Sequence, residues 1–167
     1  WTMTVVEAGA GDTLVSSGVS GNGSMLITNA ANEDDGANLQ LKGEAFKFEA
    51  DKPLYFGARL KISDATQSDI FIGLAITDTT ILGGVTDSIG FLKADASTAL
   101  SFDVNKNSTA TNVAAIHTMV ADTYIIAEFY WDGAALEVFI NGVSVAVPAI
   151  TNLPDDEELT PSVHFLN

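Results

Sequence analysis

Glu128 and Glu137 are the two residues whose type and spacing come nearest to chemistry, because they flank the turn signal Asp132-Gly133. An Asp-Gly pair between alternating residues favours a two-residue type I′ hairpin, since both central positions then need positive φ. Such a turn pairs Trp131 with Ala134, Phe129 with Leu136 and Ala127 with Val138. It sets Glu128 directly across from Glu137, with β-carbons about 5 Å apart. Retaining glycosidases also use two carboxyl groups about 5 Å apart, but hold them on opposite sides of a scissile bond in a cleft. Adjacent cross-strand glutamates project side by side, so catalysis is not expected from this pair. With Tyr130 and Phe139 on the same face, and Tyr55 on an earlier strand, a partner-contact or ligand-contact face is the better expectation.

Other routes to chemistry are thinner. His117 and His164 sit on alternating runs and belong to no H-E-x-x-H pair, so both are expected to be structural or surface residues. There is no G-x-S-x-G elbow and no phosphate loop, and Gly9-Ala10-Gly11 lacks the third glycine and following helix of a nucleotide site, reading instead as a loop. No cysteine is present, which removes disulfides, thiolate metal sites and thiol nucleophiles. Glu33-Asp34-Asp35-Gly36 with Asn38 offers oxygen donors of the kind calcium takes, yet departs from the D-x-[DN]-x-[DN]-G spacing. No cofactor is therefore expected, and calcium is a minor alternative.

Charge narrows the partners. The chain has 22 acidic and 7 basic residues, a formal charge of −15, and no Lys or Arg after Lys106. A phosphate backbone is held mainly by Lys and Arg, so nucleic acid is not an expected partner. No run approaches the roughly 18 apolar residues of a membrane span, and no membrane partner is expected. The chain opens on Trp1 and stops at Asn167 just after an apolar run, which suggests that terminal segments of a longer chain are missing.

The elements that must position these residues are strands. No window keeps an apolar i, i+3, i+4, i+7 stripe, whereas turn residues and short alternating runs recur throughout. Strands are expected over residues 25–28, 38–41, 45–49, 54–62, 70–77, 89–93, 99–104, 113–119, 124–131, 135–140, 143–147 and 162–166. Turns are expected at Gly21-Asn22-Gly23, Asp132-Gly133 and Asn141-Gly142 among others, and 155–158 reads as a solvated acidic loop. Alternation sends Leu54, Phe56, Ala58 and Leu60 inward, along with Phe46, Phe48, Leu100, Phe102 and Val104. In the meander, Ile125, Ala127, Phe129, Trp131, Leu136, Val138, Ile140, Val143, Val145 and Val147 make one apolar face, with Ile140 facing Val143 and Val138 facing Val145. Residues 70–77 are apolar on both faces and are expected to be central. About a dozen strands without an internal repeat define one all-β domain over 1–167, an antiparallel two-sheet sandwich.

The run Tyr124-Ile125-Ile126-Ala127-Glu128-Phe129-Tyr130-Trp131-Asp132-Gly133, followed by Leu136-Glu137-Val138-Phe139-Ile140-Asn141-Gly142-Val143, resembles the penultimate hairpin of concanavalin A-like or laminin G-like jelly rolls. The strand pair at 54–62 and 69–77 is similar to the pair that precedes that hairpin. With Asn152-Leu153-Pro154-Asp155-Asp156-Glu157-Glu158-Leu159-Thr160-Pro161, the whole chain resembles lectin-like virion proteins of tailed bacteriophages. The resemblance implies a virion structural protein of the capsid decoration or cement type, on the capsid surface. It would be a homo-oligomer contacting the major capsid protein or other virion proteins, and not an enzyme. The E-x-D-x-E strand of enzymes with this fold is absent. The alternative is a carbohydrate-binding module, in which Tyr130 and Phe139 stack on sugar rings and Glu128 and Glu137 accept hydroxyl hydrogen bonds.

Overall fold

The computed structural model describes residues 1–6, 14–19, 23–29 and 32–167. Thirteen strands are found among them: β1 (Thr2–Val6), β2 (Leu14–Val19), β3 (Ser24–Thr28), β4 (Gly36–Gln40), β5 (Leu54–Leu60), β6 (Asp69–Ala75), β7 (Ser88–Lys93), β8 (Ala99–Lys106), β9 (Thr109–Thr118), β10 (Ile125–Trp131), β11 (Leu136–Ile140), β12 (Val143–Ala146) and β13 (Thr160–Leu166). A 3₁₀ turn covers Ile81–Gly83. The loop read at Gly9-Ala10-Gly11 and the turn at Gly21-Asn22 lie outside the described residues.

Seven strands form one antiparallel sheet in the order β1-β4-β13-β6-β7-β8-β9, and four form a second in the order β12-β11-β10-β5. β2 and β3 pair with each other as a separate hairpin. Strict alternation of buried and more exposed residues along β10 and β11 marks a sheet with one face on a core. β6 and β7 instead are buried almost throughout. Their inward side chains meet the second sheet, while Phe71 and Ala75 on the other face pack with Ile81 and Val85 of the following loop. β6 is the middle strand of the seven, as its two apolar faces require.

Between the sheets lies an aromatic centre. Phe129 stacks on Phe56 at 5.2 Å between ring centroids and meets Phe102 edge-on at 5.5 Å, and Phe91 meets Phe102 edge-on at 5.1 Å. These offset and T-shaped arrangements suit the ring quadrupoles. Trp131 closes one end, its indole N–H donating to the Glu49 carbonyl at 3.0 Å.

Several expectations are corrected. Residues 45–49 do not form a strand but make isolated bridges, Phe46 to Leu159 and Glu49 to Lys52, and Phe46 is exposed while Phe48 is buried. The first hairpin has a four-residue connection, in which Trp131 pairs with Leu136, Tyr130 with Glu137 and Glu128 with Phe139. Asp132 is absent from the positive-φ residues, so the type I′ geometry fails. Its carboxylate instead accepts from the Ala134 and Ala135 N–H groups at 2.7 and 2.6 Å, and Gly133 is pressed against Asp51, where a Cβ would come within 2.6 Å. The Glu128–Glu137 facing pair therefore does not exist. Because the slip is by two residues, each side chain keeps its face.

The Asn141-Gly142 turn does have both residues at positive φ, 53° and 75°, and Ile140 faces Val143 as expected. A bulge between Val138 and Phe139 then sets Val138 against Ala146 rather than Val145. Ala146 packs on the core in its place, and Val143, Val145 and Val147 are exposed, the first by 64%. Two strands not read from the sequence, β1 and β2, complete the inventory.

Candidate binding face

The outer face of the four-stranded sheet gathers every expected contact residue. Registers place Glu137, Tyr130 and Tyr55 in one cross-strand row, and Phe139, Glu128 and Gly57 in the next. Tyr55 is 61% exposed, and its ring passes over Gly57 to donate a hydrogen bond to Glu128 Oε1 at 2.6 Å. A Cβ on Gly57 would lie 2.5 Å from the Tyr55 hydroxyl oxygen. A side chain there would lift the ring off the sheet. The bond to the Glu128 carboxylate raises the Tyr55 phenol above its usual range, with a smaller contribution from desolvation.

The rest of the face is held by short polar contacts. Ser144 Oγ donates to Glu137 Oε1 at 2.5 Å, orienting that carboxylate from the edge strand. The next row pairs Ile126 with Arg59, and the guanidinium stacks over the Tyr124 ring at 3.6 Å from its centroid. Aromatic planes, two oriented carboxylates and one guanidinium thus share an open surface, suited to stacking and hydroxyl recognition. Sequence reading found Tyr55, Glu128, Tyr130, Glu137 and Phe139 by alternation. Alternation also turns Arg59 outward, but Gly57 was missed, although glycine in a strand interior is itself a signal of close approach.

The opposite side of the sandwich carries a cleft of about 520 Å³, lined by Thr2, Thr4, Asn38, Gln40, Thr77 and Asp78 among others. Asn38 Nδ2 donates to the Asp78 carbonyl at 2.5 Å, and Gln40 Oε1 accepts from the Asp78 N–H at 2.9 Å while its Nε2 donates to the Ile76 carbonyl and Ser162 Oγ. These bonds pin the 76–78 loop to β4 more than they prepare a reactive group. Beside the cleft, the central strands present Phe71, Gly73 and Ala75 from β6 opposite Leu92, Gly90 and Ser88 from β7.

His164 is 1% exposed on β13, with Nδ1 accepting from the Leu82 N–H at 3.1 Å. Burial pushes its pKa down to about 4, with Asp78 opposing the shift weakly. The imidazole is neutral at pH 7. Lys93 is also fully buried, its ammonium donating to the carbonyls of Thr66, Ser68 and Ala94, and burial lowers its pKa against the pull of Asp69, Asp95 and Asp64. Among the described residues no three His, Asp or Glu side chains stand close enough to hold a metal ion.

No protein-family model matches the chain, and no curated protein matches it. Solved structures do match. The potassium-bound carbohydrate recognition domain of Emp46p aligns with 100% of this chain and 81% of its own, at 12% identity and a TM-score of 0.60. The Bacillus licheniformis β-glucanase gives the same coverage, identity and score. A prokaryotic β-1,3-1,4-glucanase from a mouse hindgut metagenome aligns with 88% of this chain at 14% identity and a TM-score of 0.56. This chain spans only 61% of that lichenase and 62% of a native glycosidic hydrolase. The fold is a concanavalin A-like jelly-roll sandwich. Its structural neighbours include both enzymes and carbohydrate-recognition domains.

Proposed function

We propose that this protein is a non-catalytic virion structural subunit, of the type that decorates or cements the capsid surface of a tailed bacteriophage. The observation that carries this reading is the pair of uncharged apolar sheet edges. β1 is one edge of the larger sheet and β12 one edge of the smaller, β9 and β5 being the others among the described residues, and neither β1 nor β12 contains a charged residue in a chain with 22 acids and 7 bases. Met3 and Val5 on one, and Val143 and Val145 on the other, are exposed. Folded proteins ordinarily protect such edges with charge, and an apolar unpaired edge joins another chain. The major capsid protein and further copies of this chain are the partners this predicts. Mass spectrometry of purified particles tests it. A copy number in fixed proportion to the major capsid protein supports the reading, and absence from the particle overturns it.

A second reading is favoured by the Tyr55 ring lying over Gly57 with Glu128, Tyr130 and Glu137 around it. That geometry suits a sugar ring, with stacking on the aromatics and hydroxyls donating to the carboxylates. A glycan array distinguishes the two. A defined glycan, lost on Tyr55→Ala and Tyr130→Ala, makes this the principal activity; no glycan bound by the wild type removes it.

A further inference from the structure

β6 and β7 are neighbours in the larger sheet, yet the chain between them is not a tight turn. A bond of 3.1 Å from the Ile76 N–H to the Asp87 carbonyl closes its base, and residues 77–85 fold back over the outer face of their own sheet, with Ile81 and Val85 buried on Phe71 and Ala75. Among the described residues, no backbone group of 77–85 bonds to backbone outside the loop. Side chains hold it down instead. At one root Glu44 accepts from the Thr77 N–H, Gln40 accepts from the Asp78 N–H and Asn38 donates to the Asp78 carbonyl. At the other Asn105 donates to the Val85 carbonyl. The hydrogen bond that reaches the tip is the one from the Leu82 N–H to His164 Nδ1 on β13.

A neutral imidazole has one acceptor nitrogen, so the ring hydrogen of His164 lies on Nε2, which is buried without a protein partner among the described residues. An incoming proton therefore goes to Nδ1. There it meets the Leu82 N–H, both nitrogens are donors, and the bond to the tip is lost. The neighbours of His164 across its two ladders, Asn38 of β4 and Phe71 of β6, carry no charge to offset the cation. The loop itself supplies the Asp78 carboxylate, which favours the cation; Lys42 lines the cleft beside Asp78, and Glu44 holds Thr77. Burial outweighs Asp78 while the loop is down.

We infer that residues 77–85 are an acid-released strap: protonation of His164 frees the tip from β13 and uncovers the floor of Phe71 and Ala75 while the strands of the larger sheet stay paired. The ring is 1% exposed, so a charged imidazole regains water by lifting what covers it. The sign follows from the two states. With the strap down the ring protonates at about 4, and with the strap lifted it protonates near 6.5, so the open state binds more protons between those limits. Opening is then favoured by about a hundredfold on going from pH 7 to pH 4. This inference stands on the loop and β13, and holds whether the protein works on a particle or on a glycan.

Amide hydrogen exchange of the whole chain, read residue by residue by NMR and corrected for the intrinsic rate at each pH, tests this. Between pH 7 and pH 4 the Leu82, Gly84 and Val85 amides are expected to lose about a hundredfold in protection, while the Ile72 and Leu74 amides of β6 stay at least tenfold better protected than the strap. The loss is expected to follow the ring titration of His164 in the same samples. His164→Gln offers an acceptor oxygen and does not titrate, so it is expected to keep the strap down at pH 4, whereas Glu44→Gln is expected to leave the acid response in place. The wild-type measurement decides the matter even where a variant does not fold. Strap amides that keep their pH 7 protection at pH 4 overturn the inference. So does loss of strap and β6 protection together, which makes His164 a matter of global stability alone, and so does a folded His164→Gln whose strap opens as the wild type does.

Discussion

Tyr55 and Glu128, 73 residues apart in the chain, are joined by a 2.6 Å hydrogen bond that crosses the bare backbone of Gly57. The phenol donates to the carboxylate, so the neutral form of Tyr55 is favoured in the folded protein and its pKa is raised. Ultraviolet titration is expected to show a tyrosine ionising above the normal range, and Gly57→Ala to return it toward about 10. Stability from this bond is present below the unfolded pKa and is lost as pH rises through the folded one. An unchanged titration in Gly57→Ala would show that the ring does not depend on the bare backbone.

His164 makes stability sensitive to acid. Its folded pKa of about 4 lies below the ordinary value of 6.5, so the unfolded chain binds more protons between those limits. Stability is full above about 6.5 and declines as pH falls toward 4, by about 3 kcal/mol if the shift is fully expressed. Urea midpoints at pH 7 and pH 4.5 measure this, and His164→Gln is expected to flatten the dependence.

Lys93 clamps the 64–69 loop to the strand that carries it, through Thr66, Ser68 and Ala94 carbonyls. Lys93→Met keeps the stem and leaves buried acceptors unpaired, which is expected to cost about 2 kcal/mol. Denaturation at pH 7 gives the value, and a loss below half that size means the carbonyls find water.

On the proposed virion reading, the exposed edge valines carry contacts and not folding. Val143→Lys combined with Val145→Glu is expected to change stability by about 0.5 kcal/mol or less while weakening particle attachment and self-association. Co-sedimentation with particles, beside light scattering of the free protein, separates the two effects.

Much of the fold was legible because a strand in a two-layer sandwich writes itself locally. Leu54 to Leu60 and Ile125 to Trp131 alternate at period two, and Asn141-Gly142 forms the turn its positive-φ residues predict. The Asp132 hairpin was misread because its side chain captures two backbone N–H groups and Asp51 presses on Gly133, and both effects compete with the turn preference of the Asp-Gly pair. The set of residues on the candidate face is unaffected by that error, since a slip of two residues preserves which side of the sheet each side chain takes.

The sequence by itself determined the all-β class, the inward rows around Phe129 and the residues that share the outer face with Tyr130, all consequences of side chains alternating along one strand. Only the tertiary structure decided that Tyr55 reaches Glu128, that His164 and Lys93 are buried, and that Val145 turns outward at a bulge. It also decided that the sheets are unequal, seven strands against four. The physical reason is that each of these depends on which strand lies beside which, and such pairings join segments far apart in the chain that no local pattern specifies.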